Sequence, residues 1–146
     1  MKVELKIEAE AIEPYAEIHT AEVTEQINNA VKILSAGQFK PLVGYKDKRA
    51  FIMRLPEVLC ISCKGQNVAA RTEKGEFILK QRIYELEEML YSKGFLRISS
   101  SAIINIDKIS NFEMSFNGTM QVQFRDGSYE YASRRYVSKV KKYLGI

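Results

Sequence analysis

Three short stretches of this 146-residue chain set cations beside amides and hydroxyls. "KGQN" supplies Lys64, Gln66 and Asn67, and "RISSS" supplies Arg97, Ser99, Ser100 and Ser101. "SRR" supplies Ser133, Arg134 and Arg135, with Lys139 farther along the same stretch. Lysine and arginine hold phosphates, hydroxyls add neutral phosphate contacts, and Arg, Asn and Gln can meet a base edge with two hydrogen bonds. One such cluster alone is an ordinary solvated loop. Three become a site only if the fold brings them to one side, which periodicity does not reveal.

The third cluster carries a local conflict. In "SRRYVSKVKKYLG", Val137, Val140 and Leu144 recur at helical spacing, and Ser133 is a natural cap, so a helix is expected over 134–143. Arg134 and Arg135 then sit in its first turn, where the helix dipole disfavours cations. The same free N–H groups and dipole attract an anion. Two arginines there are explicable if that end of the helix faces a phosphate.

Other chemistry finds little support. The chain has one histidine, His19, far from the serine cluster, and no glycine-rich phosphate loop at a strand-to-helix junction. Glu87 and Glu88 fall in a helical stretch whose exposed face accounts for both. No enzyme activity, metal or cofactor is expected. "CISC" places Cys60 and Cys63 in a strand-like run, where residues three apart point to opposite faces, so the pair reads as packing rather than as a redox or zinc site. Tyr129, Tyr131, Tyr136 and Tyr143 alternate with core positions and read as packing too.

The elements that must position these residues begin with an acidic extension. "KVELKIEA" puts Val3, Leu5, Ile7 and Ala9 on one face, the pattern of a half-buried strand. Pro14 lies in a connection. A helix is expected over 20–36, capped by Thr20, with Ile27, Ala30, Val31 and Leu34 as its stripe and Gly37 at its end. Residues 1–30 hold two lysines against seven glutamates, a balance of −5, whereas the other 20 basic and 11 acidic side chains leave +9 on residues 31–146. A basic body suits a polyanionic partner.

From residue 41 the texture changes to short strands: "LVGY", "RAFIMRL", "VLCIS", "NVAART" and "FIL". A helix is expected in "QRIYELEEMLYSKG", on Ile83, Leu86, Met89 and Leu90, closed by Gly94. Strands resume with "FLRI", "AIINI" and "KISNFEMSF"; Asn117-Gly118 and Asp126-Gly127 mark hairpins before "TMQVQF" and "YEYA". No apolar run reaches the roughly 20 residues of a membrane span, and the N-terminus lacks a signal-peptide core, so a cytoplasmic protein is expected.

The order of markers over residues 45–146 resembles the LytTR DNA-binding domain, the effector module of LytR/AgrA-type bacterial transcription regulators. They are Phe95, Arg97, the run Ser99, Ser100 and Ser101, Ile103-Ile104-Asn105, Ile109, Asn117-Gly118, Ser133, Arg134 and Arg135. The resemblance implies an α+β fold that is mostly β, an elongated set of small sheets with a C-terminal helix. It implies double-stranded DNA as the partner, contacted by loops in successive major grooves with some bending, at paired or direct-repeat-like sites, as a homodimer.

Carried over by position, Asn67, Ser100 and Arg135 come nearest base edges, while Arg97, Ser99, Ser101, Arg134 and Lys139 hold phosphates. Asn105 and Ile104 read as structural. Many relatives carry a histidine where this chain has Ser99, and histidine or arginine where Asn67 stands, so no operator can be borrowed. Residues 1–40 are too short for a receiver domain, and a stand-alone regulator is expected: a strand-helix extension (1–40) for dimerisation or for docking a regulatory protein, and a DNA-binding domain (41–146). The alternative is a protein-binding adaptor or antagonist built on the same β body.

Overall fold

The computed structural model describes residues 2–10, 15–35 and 41–146. The chain divides into two compact units, residues 1–39 and 40–146.

In the first unit, helix α1 spans Glu25–Ser35. It starts later than the apolar spacing suggests because Thr24, not Thr20, caps it: the Thr24 Oγ1 accepts from the Ile27 amide at 3.3 Å. Thr20 instead closes a local turn, its hydroxyl donating to the Glu22 carbonyl at 2.7 Å. The expected strand at the N-terminus does not form. Residues 2–8 form no strand ladder among the described residues, and Val3, Leu5 and Ile7 are 83%, 87% and 89% exposed. Alternation selects a face, but a strand exists only where an edge accepts its backbone groups. Pro14, Ala36 and Gly37, expected at the connection and helix end, lie outside the described residues.

Among its described residues, the second unit has, besides three single-turn 3-10 helices, ten antiparallel strands and two α-helices. They are β1 (Val43–Lys46), β2 (Arg49–Ile52), β3 (Val58–Lys64), β4 (Asn67–Thr72), β5 (Gly75–Leu79), α2 (Ile83–Leu90), β6 (Phe95–Ser99), β7 (Ala102–Asn105), β8 (Ile109–Met114), β9 (Met120–Phe124), β10 (Tyr129–Ala132) and α3 (Arg134–Leu144). Seven strands form one sheet in the order β2-β1-β5-β4-β3-β7-β6, and three form a second in the order β10-β9-β8.

At β3, β7 and β6 both faces of the large sheet are covered, which explains the continuous apolar runs "VLCI" and "AIIN", whereas β2 at the far edge is exposed. On one face Val58, Ile61, Ala70, Phe77, Phe95 and Ile103 pack with Leu86 and Leu90 of α2. On the other, Cys60, Leu96, Ile98 and Ile104 meet Met120, Val122 and Phe124 of the small sheet and Val137 and Val140 of α3. Each fully buried aliphatic side chain there contributes roughly 1.5–3 kcal/mol. Gly44 is required on β1, because a Cβ would stand 2.6 Å from Met53 Sδ and 2.7 Å from Phe77 Cβ.

Asn105, buried at the end of β7, is the polar pin of this arrangement. Its Nδ2 donates to the Val58 carbonyl at 2.9 Å and the Leu55 carbonyl at 3.3 Å, and its Oδ1 accepts from the Asp107 amide at 3.1 Å. The structural role expected for it follows from those three bonds.

The two signalled hairpins form with one geometry. Phe116-Asn117-Gly118 links β8 to β9, and Arg125-Asp126-Gly127 links β9 to β10. Gly118 and Gly127 take φ of 86° and 85°. In each loop the Asx Oδ1 accepts from the amide two residues on, Thr119 at 3.2 Å and Ser128 at 2.9 Å. Three-residue loops that end on a left-handed glycine suit the strand twist.

Candidate nucleic-acid interface

Two backbone hydrogen bonds join the three clusters. The Cys63 amide donates to the Ser101 carbonyl at 2.8 Å, tying the β3–β4 turn to the β6–β7 loop. The Ser133 amide donates to the Ile98 carbonyl at 3.0 Å, tying the start of α3 to the other side of that loop. Since β6 is the edge of the large sheet, the Ser133 contact also covers an otherwise open strand. The loops therefore form a row: residues 64–67, then 97–101, then 133–135.

Each loop has a local cause. Lys64 pairs with Asn67 across a two-residue turn, Gly65-Gln66, in which Gly65 takes φ of 61°, and residues 64–67 are all exposed. Lys64 Nζ is bound to the Glu76 carboxylate, which holds the lysine along the sheet. In the second loop, the Ser99 Oγ accepts from the Ser101 amide at 3.2 Å, and the two hydroxyls lie 3.4 Å apart. This hydroxyl turn leaves Ser100 exposed at the tip.

Arg97 does something the sequence does not suggest. Its guanidinium is turned inward, with the side chain 16% exposed. Nε donates to the Ser99 carbonyl at 3.0 Å and Nη2 to the Ser100 carbonyl at 2.8 Å. Glu87 Oε2 stands 3.5 Å from Nε, and the Tyr136 ring centroid 5.9 Å from the guanidinium carbon. Arg97 is the internal clamp of the second loop. Glu87, expected to be simply solvated on α2, instead bridges Arg97 and, at 3.9 Å, Lys139 of α3. Position 87 flanks the buried Leu86, and that proximity to the apolar stripe was the available signal.

The third loop opens α3 where expected. Ser133 takes the extended cap conformation, φ −71° and ψ 156°, yet its side chain caps no helical amide. The first turn carries no acidic residue; Arg134 and Arg135 are both exposed, and Lys141 and Lys142 occupy the favourable last turn. A Cβ built on Gly118 would lie 3.5 Å from Cγ of Arg134, so that side chain rests on the β8–β9 loop.

Cys60 packs in the core between the two sheets, whereas Cys63 near the end of β3 is only partly buried. Both thiols are free. Burial pushes the Cys60 thiol up to about 11, against which the neighbouring Arg71 charge acts only partly. Among the described residues, no group of three His, Cys, Asp or Glu side chains is placed to hold a metal ion. The tyrosines divide. Tyr136 underlies Arg97, and Tyr143 meets Tyr91 edge-on at 6.0 Å. Tyr129 and Tyr131 are not core packing: both are exposed on β10 and stack edge-on with each other at 5.6 Å. Their positions alternate with Glu130 and Ala132, which face the large sheet, so the parity of β10 turns both rings to solvent.

Residues 48–145 match the family described as the LytTr DNA-binding domain. The chain is 34% identical over 147 residues to an HTH-type transcriptional regulator of Staphylococcus aureus strain MSSA476, covering 100% of this chain and 99% of that protein. A similarly named protein of strain MRSA252 is 33% identical over the same span. Among solved structures, the LytTr DNA-binding domain of a methyl-accepting/DNA response regulator from Bacillus cereus superposes with a TM-score of 0.70 at 20% identity, over 74% of this chain and all of that one. The β-rich fold with its C-terminal helix is the one the sequence markers implied. No two described α-helices here are joined by a short turn, so the "HTH-type" wording of the relatives' names does not describe this fold.

Proposed function

The chain belongs to the LytTr DNA-binding domain family, and from that premise we propose that it is a cytoplasmic, sequence-specific regulator of transcription that reads double-stranded DNA through loops in successive major grooves. The observation that carries this reading is the pair of backbone bonds, Cys63 to Ser101 and Ser133 to Ile98, that joins three polar loops in one row, the outer two carrying exposed cations. Among their exposed members, Asn67, Ser100 and Arg135 are the base readers, as the family resemblance implies, with Gln66 beside Asn67 at the turn. Lys64, Ser101, Arg134 and Lys139 hold phosphates, and the uncapped first turn of α3 adds its N–H groups to the same strand. Ser99 shapes the second loop through its hydroxyl turn, and Arg97 positions that loop from behind. Residues 1–40 bring two copies together on paired sites, the exposed Val31 and Leu34 of α1 supplying the apolar contact.

The test begins with a duplex selected from a random-sequence pool by the intact chain. Arg135→Ala is expected to lose roughly 1–3 kcal/mol of affinity, chiefly at one base position, and Lys139→Ala to weaken selected and random duplexes alike. Equal losses on both duplexes for Arg135→Ala remove it as a base reader. Sedimentation of the complex is expected to give two chains per selected duplex; one chain per duplex removes the dimer.

A further inference from the structure

The row of loops has a fourth member. Met120 pairs with Ala132, so the β8–β9 loop lies at the end of the small sheet where β10 passes into Ser133. Arg134 resting on Gly118 makes the two segments neighbours. The β9–β10 loop lies at the opposite end, where the Arg125 amide donates to the Lys108 carbonyl. Only the β8–β9 loop extends the row, beyond residues 133–135.

At its tip stands Phe116, 106% exposed, a large apolar side chain with no place in either core. The turn does not call for it. The β9–β10 loop has the same three-residue form, the same Asx bonds and the same left-handed glycine, and carries Arg125 at the matching position. The tip itself, residues 115–119, is uncharged and set against Arg134, which leans on its glycine. An aromatic ring held out on a short, bonded loop, next to cations placed for a phosphate backbone, suits base surface. Apolar side chains there pack on thymine methyls or wedge at a base step, and a wedge favours bent DNA.

We propose that Phe116 is a fourth DNA contact, set against base surface beside the step met by the start of α3. This rests on the three-loop reading above.

The test uses the full chain and the selected duplex. Because Phe116 is fully exposed, Phe116→Ala leaves folding intact. It is expected to bind about tenfold more weakly, whereas Phe116→Leu keeps most of the affinity. The slope of log affinity against log salt stays unchanged, because no phosphate contact is lost. With 2-aminopurine placed in turn at steps flanking the position read by Arg135, the wild type changes the fluorescence at one step and Phe116→Ala does not. Unchanged affinity for Phe116→Ala, with Arg135→Ala behaving as expected, overturns this contact alone. So does an effect of Phe116→Ala on self-association without DNA, which would make the ring a protein contact. Failure of the wild type to select any sequence overturns both readings.

Discussion

Replacing Arg97 by glutamine asks whether a cation inside a binding loop touches the ligand or only shapes the loop. The guanidinium donates to the Ser99 and Ser100 carbonyls at 3.0 and 2.8 Å and stands 3.5 Å from Glu87. Each hydrogen bond from a charged donor contributes about 1.5–3 kcal/mol, but both carbonyls lie in a loop that water can reach and will be partly resolvated, leaving about 1–2 kcal/mol for the two. Glu87 is then left with Lys139 at 3.9 Å, a loose pair for a half-buried carboxylate, which adds about 1 kcal/mol. Arg97→Gln is therefore expected to lower stability by about 2–3 kcal/mol in urea unfolding, with the slope against denaturant unchanged. It should also weaken DNA binding, because the second loop loses its shape, yet leave the salt dependence as in the wild type. A phosphate contact would behave oppositely, with the log–log salt slope falling by about 0.9 at little cost in stability. That second pattern would refute the clamp and restore the role the sequence alone suggested for Arg97.

Two further outcomes follow from buried groups. Asn105→Ala strands the Val58 carbonyl and the Asp107 amide and is expected to cost about 2–4 kcal/mol in urea unfolding, without altering base preference in whatever protein remains folded; a loss under 1 kcal/mol would remove the pin. The Cys60 thiol is raised to about 11 from 9.0, so its contribution is complete below pH 9 and is lost as the pH climbs through 11. Across that window the stability of the wild type is expected to fall more steeply than that of Cys60→Ala, by roughly 2–3 kcal/mol in total. Parallel pH profiles would show that the thiol ionises over the same range in the folded and unfolded chain and would remove this contribution.

The sequence determined by itself what depends on neighbours in the chain. Apolar spacing located α2 and α3, alternation and turn residues located the ten strands, and the Asn-Gly and Asp-Gly pairs placed two hairpins, because these signals act within a few residues. The three polar clusters were legible as residue types in sequence, but the choice of Asn67, Ser100 and Arg135 among them came from the family resemblance. Only Ser100 sits at a loop tip, while Asn67 opens β4 and Arg135 lies in the first turn of α3. At the N-terminus the local signals failed, since the alternation of residues 2–8 cannot create the edge a strand needs. Tertiary structure alone decided which loops adjoin. Cys63 and Ser101 lie 38 positions apart and Ile98 and Ser133 lie 35 apart, and only the strand order β3-β7-β6 and the return of β10 bring each pair within hydrogen-bonding distance. It also decided direction: Arg97 faces inward because the Ser99 and Ser100 carbonyls of its own loop and Glu87 of α2 surround it, and Phe116 faces outward because its loop lies beyond the last core position. A local pattern tells which residue types a loop contains, but whether a cation faces a carbonyl, a carboxylate or open solvent depends on segments that meet only when the chain is folded.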